Sequence, residues 1–261
     1  MSKYVFSINS GRSGSKYLYT LFTKAKDTAA FHEAPPVMAN DNIMKQICDK
    51  PYRDSYDLRS KKVDAIKKAM VGYSNYAEAN HMFIKTFFDV VVDDDEFKDD
   101  VSVVILRRKI PLVVKSFVEL EYFGQNAESF KWMTKSDAVT RAIEPVAPFK
   151  EMDIFERTIS YLIDIEARAE RFKQEYPHIK TVEVKIDELN SVENVLALFE
   201  AIGLQPKDDL PSVVNVAVNQ RQQRKKTFRR QVSFDEACKR VDSYIAKAKS
   251  KGIDIPPALY L

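Results

Sequence analysis

The sequence predicts an α/β protein with a central, mostly parallel β-sheet flanked by helices. The apolar run Tyr4–Ile8, rich in aromatic and β-branched residues, is typical of a buried strand. A short loop with two glycines follows it, and apolar residues then recur over Tyr17–Phe22 at the three- and four-residue spacing of an amphipathic helix. The near-continuous apolar run Val101–Leu106 indicates another strand, buried on both faces as strands of parallel sheets are.

The loop after the first strand has the composition of an anion-binding site. When a strand, a tight glycine loop and a helix follow one another, successive backbone N–H groups point at an oxyanion and the helix dipole adds to the attraction. Two glycines let the backbone approach the ligand, and the other residues supply charge or hydroxyl donors: Gly11, Arg12, Ser13, Gly14, Ser15 and Lys16. We predict that this loop binds a phosphate or sulfate group; the alternative is an ordinary glycine turn.

The loop differs from the nucleotide-triphosphatase motif G-x-x-x-x-G-K-[ST]. Counting back from Lys16, Ser10 and Ser15 stand where that motif has its glycines. Tyr17 replaces the hydroxyl residue that would coordinate Mg²⁺. The pattern therefore favours a donor that is handled without a metal ion.

The composition is that of an ordinary globular protein. The 261 residues are 45% hydrophobic and 30% charged, so we expect one domain over residues 1–261, although this length can also just divide into two. The formal net charge of +3 is too small to predict a nucleic-acid partner by itself. No stretch reaches membrane-spanning length, and Cys48 and Cys238 are too few and too far apart for a disulfide framework. We therefore expect a cytoplasmic protein with no membrane or nucleic-acid partner.

Two further candidate residues follow the next predicted strand, Thr28–Phe31. His32 and Glu33 lie at its carboxyl end, because Pro35 and Pro36 stop any helix there. In open parallel sheets, ligands bind at this edge. Since consecutive strand residues point to opposite faces, only one of the two side chains should face the reacting centre. The alternative is a surface imidazole and a surface carboxylate before a proline turn.

One candidate cation lies in the segment before residue 100. Residues 40–80 are predicted to be helical, and Met82–Phe88 is predicted to be a strand. Lys85 lies within that strand, and it either faces the cleft from the strand end or reaches out to solvent. The acidic run Asp93–Glu96 lacks the alternating spacing of a calcium loop, so we predict no metal site.

A second cluster of cations, Arg107–Lys109, follows the strand Val101–Leu106. Pro111 suits the first turn of a helix over Leu112–Leu120, which carries Ser116. Because the carboxyl ends of parallel strands meet at one edge of the sheet, we predict a second anion site beside the first. The alternative is a basic turn in solvent.

The remaining chain contains two regions that could contact ligands. Residues 121–150 lose periodicity, which is typical of a binding loop or lid, and Trp132 in this region either stacks on a ligand or packs in the core. Helices are predicted over Phe155–Phe172 and Phe234–Lys251. Between them, the segment 219–230 has six cations and no acidic residue. Such a tract is usually a solvated face, but it could also close over a phosphate or attract a polyanion.

Three separated blocks, at residues 3–36, 101–120 and 180–206, contain a recognisable set of motifs. They are the loop Ser10–Ser15, Glu33, the pair Arg108 and Ser116 with seven residues between them, the strand and acidic-leucine turn Thr181–Leu189, and the helix Val195–Leu204. This ordered set resembles the sulfotransferases that use 3′-phosphoadenosine-5′-phosphosulfate, and most closely the carbohydrate type. The resemblance implies a three-layer P-loop-like α/β fold, with that nucleotide as sulfuryl donor and adenosine 3′,5′-bisphosphate as product.

The resemblance also implies roles for particular residues. The glycine loop would hold the 5′-phosphosulfate, Arg108 and Ser116 would grip the 3′-phosphate, and Glu33 falls at the place of the family's glutamate. Two departures are visible. Cytosolic relatives have Lys-Thr-His with a catalytic histidine where this chain has Lys85–Phe87, and the family's C-terminal Arg-Lys-Gly is represented only by Arg224 and Lys225, followed by a second lysine.

The predicted chemistry is an in-line transfer of a sulfuryl group to a hydroxyl of a carbohydrate or small metabolite, with an amine or guanidine nitrogen as the alternative acceptor atom. Positioning and charge stabilisation carry most of such a reaction, so Arg12, Lys16 and the loop N–H groups should hold the bridging phosphate and the sulfuryl group. Lys85 would add charge if it faces the cleft. Glu33 is the predicted general base and His32 the reserve candidate; a structure with His32 or His81 in its place would contradict this prediction.

Two other functions stay open at this point. A kinase of nucleotides or small molecules could use the same kind of loop, and it would require Mg²⁺ and ATP. A module that binds nucleic acid or another polyanion could use the basic tract 221–230, and its binding would depend steeply on salt. The acceptor and the oligomeric state also stay open.

Overall fold

The structure, a computed structural model, describes residues 3–124, 128–216 and 230–261. The described residues form five strands: β1 Lys3–Ile8, β2 Thr28–His32, β3 Asn75–Ala79, β4 Val101–Arg107 and β5 Lys180–Lys185. They form nine α-helices: α1 Ser15–Phe22, α2 Asp41–Asp49, α3 Tyr56–Arg59, α4 Lys61–Ala69, α5 Phe88–Val92, α6 Ile110–Glu119, α7 Ile154–Glu175, α8 Val192–Ile202 and α9 Phe234–Ser250. A π-helix, Phe83–Phe87, precedes α5.

The strands form one sheet in the order β2-β3-β1-β4-β5, and all neighbouring strands are parallel. This confirms the predicted α/β class with a central parallel sheet flanked by helices. From the central strand β1, the chain passes to β2 at one edge of the sheet. From β4, on the other side of β1, it passes to β5 at the opposite edge. Ligands of such sheets bind outside the carboxyl ends of the strands where the chain direction reverses. The loop after β1 lies at this switch point.

Of the two compact units of the chain, the first contains the whole sheet. It comprises the described parts of Met1–Met38, Tyr56–Arg107 and Tyr176–Lys225. Apolar side chains of α1 and α8 pack with those of the central strands in one buried cluster, which includes Leu18 and Phe199. The amphipathic periodicity of α1, which was read from the sequence, therefore buries one face of this helix and fixes the position of its N-terminus.

The second unit is helical. It comprises the described parts of Ala39–Ser55, Arg108–Glu175 and Lys226–Leu261, and in it α6 packs against α7 and α9. Phe117 of α6 and Tyr161 of α7 are both buried, with ring centroids 5.9 Å apart. Within the described ranges, no helix is both long and apolar enough to cross a membrane. The single domain over residues 1–261 stays a prediction.

One predicted strand was wrong. Met82–Phe88 forms the end of a turn, the π-helix Phe83–Phe87 and the start of α5. Phe83 and Phe87 are fully buried, and an apolar run that is buried on all sides has the same hydrophobic pattern in a helix as in a strand. The strand in this region is β3, which lies at the end of the segment predicted to be helical; α2 and α4 form in the rest of that segment. The other predicted elements form within one turn of their expected bounds.

Candidate active site

The loop after β1 has a backbone that only glycine adopts readily at some of its positions. Gly11, Arg12 and Gly14 have positive φ angles of 77°, 55° and 103°. A Cβ atom built on Gly14 would lie 2.5 Å from Cδ1 of Ile186. A larger residue at position 14 would therefore have a strained backbone and would also have to displace the side chain of Ile186.

Hydrogen-bond donors without protein acceptors are concentrated at the end of this loop. Helix α1 begins at Ser15, and its first two N–H groups, those of Ser15 and Lys16, have no intrahelical acceptor. Ser13 is 2% exposed, and its hydroxyl has no hydrogen-bond partner. A buried hydroxyl raises the free energy of the folded state unless a ligand or water forms a hydrogen bond with it. With the charges of Arg12 and Lys16 nearby in the chain, these donors fit an oxyanion.

The side chain of Asn9 holds the loop in this conformation. Its Oδ1 accepts a hydrogen bond from the N–H of Gly11 at 3.0 Å, and its Nδ2 donates to Oγ of Ser7 at 2.9 Å. Asn9 is buried. This role was not predicted, because an asparagine after a strand is also an ordinary turn residue.

Acidic and basic side chains meet at the carboxyl ends of β2 and β3. The two strands end level with each other, since His32 and Ala79 are register partners. Glu33 follows β2 directly, and its φ of 57° ends the extended backbone, so the alternation of strand side chains does not extend to it. Oε1 of Glu33 lies 3.5 Å from Nε2 of His81 and 3.8 Å from Nε2 of His32. Both side chains therefore lie near this sheet edge, and the expectation that only one of them faces the reacting centre stays a prediction.

One contact joins this cluster to the loop. Nε2 of His32 lies 3.1 Å from Oγ of Ser15, the first residue of α1. Burial lowers the pKa of His32, the positive charge of Lys16 lowers it further, and Glu33 opposes both effects. The His32 ring is therefore expected to be neutral near pH 7.

Lys85 does not reach out to solvent, and the strand from whose end it was expected to face the cleft is a helix. It lies in the π-helix with no exposed surface, and its Nζ is 2.7 Å from Nδ1 of His81. Because an ammonium group only donates, Nδ1 accepts and the ring proton of His81 resides on Nε2, toward Glu33. Burial, followed by the charges of Lys85 and His32, holds the pKa of His81 well below its ordinary value.

The remaining predicted residues lie outside the described part of the first unit. Arg108 and Ser116 belong to the second unit; Arg108 is half-buried before α6, and Ser116 is buried on α6. Arg224 and Lys225 lie outside the described residues. Over the part of the chain that the structure describes, no group of three or more histidine, cysteine, aspartate or glutamate side chains could hold a metal ion.

His81 is a member of this cluster, and the sequence analysis names it only as an alternative to Glu33. It follows β3 after a single residue, and β3 itself was not predicted. The turn-forming Asn80 directly before it is the signal that could have placed a strand end there.

Comparison with solved structures gives two likenesses over nearly the whole chain. A sulfotransferase domain from the curacin biosynthetic pathway is 8% identical, with 98% of this chain and 99% of that chain covered and a TM-score of 0.52. The chain has the fold of a sulfotransferase domain. A sulfotransferase from Alicyclobacillus acidocaldarius is 12% identical, with 96% of each chain covered and a TM-score of 0.48. No protein-family model matches the sequence, and no curated protein matches it at a significant level. At such low identity the sulfotransferase fold is established, and the activity has to be argued from the site.

Proposed function

We propose that the protein is a sulfotransferase that moves a sulfuryl group from 3′-phosphoadenosine-5′-phosphosulfate to a hydroxyl of a carbohydrate or small-molecule metabolite. The observation that carries the proposal is the 3.1 Å contact between Oγ of Ser15 and Nε2 of His32, because it joins the glycine loop to the acid–base side chains. The ordered sequence motifs and the sulfotransferase fold support the same reaction.

The donor would be held at both of its charged ends. At the 5′ end, the phosphosulfate would accept hydrogen bonds from the Ser13 hydroxyl and from the N–H groups at the start of α1, while glycines allow close approach and cations balance the charge. The residues proposed for this end are Gly11, Arg12, Ser13, Gly14, Ser15 and Lys16. For the 3′-phosphate we propose Arg108 and Ser116, with Arg224 and Lys225 as further contacts.

The transfer is an in-line displacement. The acceptor oxygen attacks sulfur, the bond between sulfur and the bridging phosphate oxygen breaks, and adenosine 3′,5′-bisphosphate leaves with the bonding electrons. Negative charge therefore grows on the leaving phosphate, and cations fixed beside it strengthen their hold in the transition state. Arg12 and Lys16 would have this role. Lys85 would act through the His81 ring that it contacts.

Glu33 is the best-supported general base. Its side chain is 35% exposed, so an acceptor hydroxyl can reach it. His81 presents an N–H toward Glu33 and cannot accept a proton at that nitrogen, whereas Nε2 of His32 is in contact with Ser15. In this arrangement Glu33 takes the proton of the acceptor, and the imidazole of His81 orients the carboxylate.

The kinase alternative has less support. Tyr17 occupies the place of the hydroxyl residue that coordinates Mg²⁺ in triphosphatases. Its phenol donates a hydrogen bond to the carbonyl of Leu189 at 2.9 Å and accepts one from the N–H of Asn215 at 2.8 Å. These bonds hold the hydroxyl inside the protein. The polyanion-binding alternative depends on residues 219–230, nearly all of which lie outside the described ranges.

We further propose a cytoplasmic enzyme with no membrane, nucleic-acid or metal requirement, and the two free cysteines, Cys48 and Cys238, agree with a reducing compartment. The test is incubation with 3′-phosphoadenosine-5′-phosphosulfate and a panel of sugars and alcohols in the presence of a chelator. We expect release of adenosine 3′,5′-bisphosphate that depends on the acceptor. Consumption of ATP that requires Mg²⁺, with no turnover of the sulfuryl donor, would overturn the proposal in favour of the kinase.

A further inference from the structure

A buried carboxylate beneath the candidate site contacts the chain next to both Glu33 and His81. Glu78 lies in β3 and has no exposed surface. Its Oε1 accepts hydrogen bonds from the N–H of Ala34 at 2.8 Å and from Nδ2 of Asn80 at 2.8 Å. Ala34 directly follows Glu33 in the chain, and Asn80 directly precedes His81. One carboxylate oxygen thus connects the two segments that carry the acid–base pair.

Lys62 of α4 completes this arrangement. Its Nζ donates to Oε1 of Glu78 at 2.9 Å and to the carbonyl of Ala34 at 2.7 Å, and Lys62 is also fully buried. The hydroxyl of Tyr76 donates to the other oxygen, Oε2 of Glu78, at 2.7 Å. Both carboxylate oxygens are therefore satisfied, and Ala34 is held by its N–H and its C=O.

The same network extends to the glycine loop. The N–H of Asn80 donates to Oγ of Ser7 at 3.1 Å, and this hydroxyl also accepts from Nδ2 of Asn9. Asn9 in turn binds the N–H of Gly11. A continuous chain of buried hydrogen bonds therefore runs from Glu78 to the predicted anion site.

Stability alone does not account for this buried ion pair. Removing two charges from water offsets most of their attraction, and an apolar pair of similar volume is often as stable or more so. What an apolar pair lacks is direction: it cannot fix the backbone at Ala34 and Asn80 through hydrogen bonds. The arrangement of donors around Glu78 is thus better explained by a role in positioning the backbone at the sheet edge than by a contribution to the free energy of unfolding.

We propose that Glu78, paired with Lys62, is the positioning residue that keeps the carboxylate of Glu33 and the imidazole of His81 in contact. The catalytic consequence rests on the proposed function. The positioning itself does not, because the environment of the His81 ring can be measured without any sulfuryl transfer.

The test uses nitrogen NMR of the histidine rings, of which the chain has three. The His81 signals are assigned with His81→Gln, and they are expected to show one neutral tautomer with the proton on Nε2. In Glu78→Gln the contact of Nδ1 with Lys85 still fixes this tautomer. We expect the chemical shifts of the His81 Nε2 nitrogen and its proton to change, because the Glu33 carboxylate moves away from that N–H. Tyr76→Phe is the matched control: it removes only the hydrogen bond to Oε2 and is expected to keep the wild-type ring signals.

Glu78→Gln leaves the charge of Lys62 buried without its partner, which can prevent folding. The double variant Lys62→Met, Glu78→Met removes both charges and is expected to fold and to show the same change in the shifts of the His81 Nε2–H group. A folded Glu78→Gln or double variant with wild-type His81 signals would overturn the proposal.

An activity measurement separates this proposal from the proposed function. If transfer occurs, we expect turnover of Glu78→Gln to fall by up to about 10²-fold with unchanged affinity for adenosine 3′,5′-bisphosphate, since small misplacements of reacting groups have effects of that size. Asp164→Asn, which breaks the buried ion pair with Arg168 in the second unit, controls for general destabilisation and should keep turnover per folded molecule. Unchanged turnover in folded Glu78→Gln would contradict the positioning role. A wild-type protein with no transfer activity would refute the proposed function and leave the NMR result standing.

Discussion

Nε2 of His81 lies 3.5 Å from Oε1 of Glu33, at the point where β2 and β3 end side by side. The other ring nitrogen of His81 is 2.7 Å from the buried ammonium of Lys85. The imidazole of His81 therefore lies between the carboxylate of Glu33 and the positive charge of Lys85, which is buried. This contact orients Glu33 and leaves part of its side chain exposed, where the proposed function places the acceptor.

The first prediction concerns Glu33 as general base. A positioned base contributes about 10²–10⁴-fold, so Glu33→Gln should reduce turnover by that factor while donor binding stays nearly unchanged. The amide keeps the size of the carboxylate but cannot take a proton at neutral pH. Single-turnover kinetics with an ordinary alcohol acceptor measure the chemical step free of product release. Near-normal rates would contradict the assignment, and a larger loss in His32→Gln would move the role to His32.

The second prediction separates two arginines. Arg12→Ala should weaken donor binding and slow the reaction together, because the same guanidinium would serve the ground state and the transition state. Arg108→Ala should reduce mainly donor affinity, because the 3′-phosphate lies away from the bond that breaks. Calorimetry with adenosine 3′,5′-bisphosphate, combined with single-turnover rates, measures both effects. An Arg108→Ala protein with intact affinity and reduced turnover would reverse this division of roles.

The third prediction uses two glycines with positive φ. Gly14→Ala should weaken nucleotide binding, since its Cβ would lie 2.5 Å from Cδ1 of Ile186 and either that side chain or the loop would have to move. Gly72 has a φ of 88°, and a Cβ there would meet nothing within 4 Å. Gly72→Ala therefore carries a similar backbone strain, about 1–2 kcal/mol, without a change in the loop. Calorimetric titration of both variants checks this, and equal losses of affinity would contradict a role for the tight approach at Gly14.

The fourth prediction is a pH dependence of stability. The pKa of His81 and the pKa of His32 are both lowered in the folded state, mainly by burial, whereas in the unfolded chain both are near 6.5. As the pH falls below about 6.5, the unfolded state takes up protons that the folded state does not, so the free energy of unfolding decreases. Each histidine contributes a slope of up to about 1.4 kcal/mol per pH unit, and the dependence vanishes above that range.

Denaturant unfolding at a series of pH values measures this slope. His81→Gln should make it shallower between about pH 6.5 and the lowered pKa of the folded state. His178→Gln replaces an exposed histidine and is the matched control. If the free energy of unfolding depended on pH equally in His81→Gln and in the control, the pKa of His81 would not be lowered in the folded state.

The sequence predicted the glycine loop and its place on the sheet because both follow from local pattern. A strand, a short glycine loop and an amphipathic helix depend only on neighbouring residues, and β1 and α1 form where expected. The position of Glu33 at the end of β2 was predicted for a similar reason, since two prolines follow shortly after it.

β3 and the residues around it could not be predicted in the same way. Asn75–Ala79 contains a single aromatic residue and a glutamate, which is a poor pattern for a buried strand. The strand is possible because Lys62, distant in sequence, neutralises Glu78 inside the protein. Partners of this kind depend on tertiary structure, so His81, Lys85 and Glu78 became visible as a group only in the fold.

The most direct test of the central claim is calorimetric titration of the wild-type protein with adenosine 3′,5′-bisphosphate and with adenosine 5′-monophosphate. If the loop and the pair Arg108 and Ser116 hold the two charged ends of a phosphosulfate donor, loss of the 3′-phosphate removes charge-assisted hydrogen bonds of about 1.5–3 kcal/mol each. We therefore expect the bisphosphate to bind at least about 10-fold more tightly than the monophosphate. Equal affinity for the two nucleotides, or no binding of either, would contradict the account.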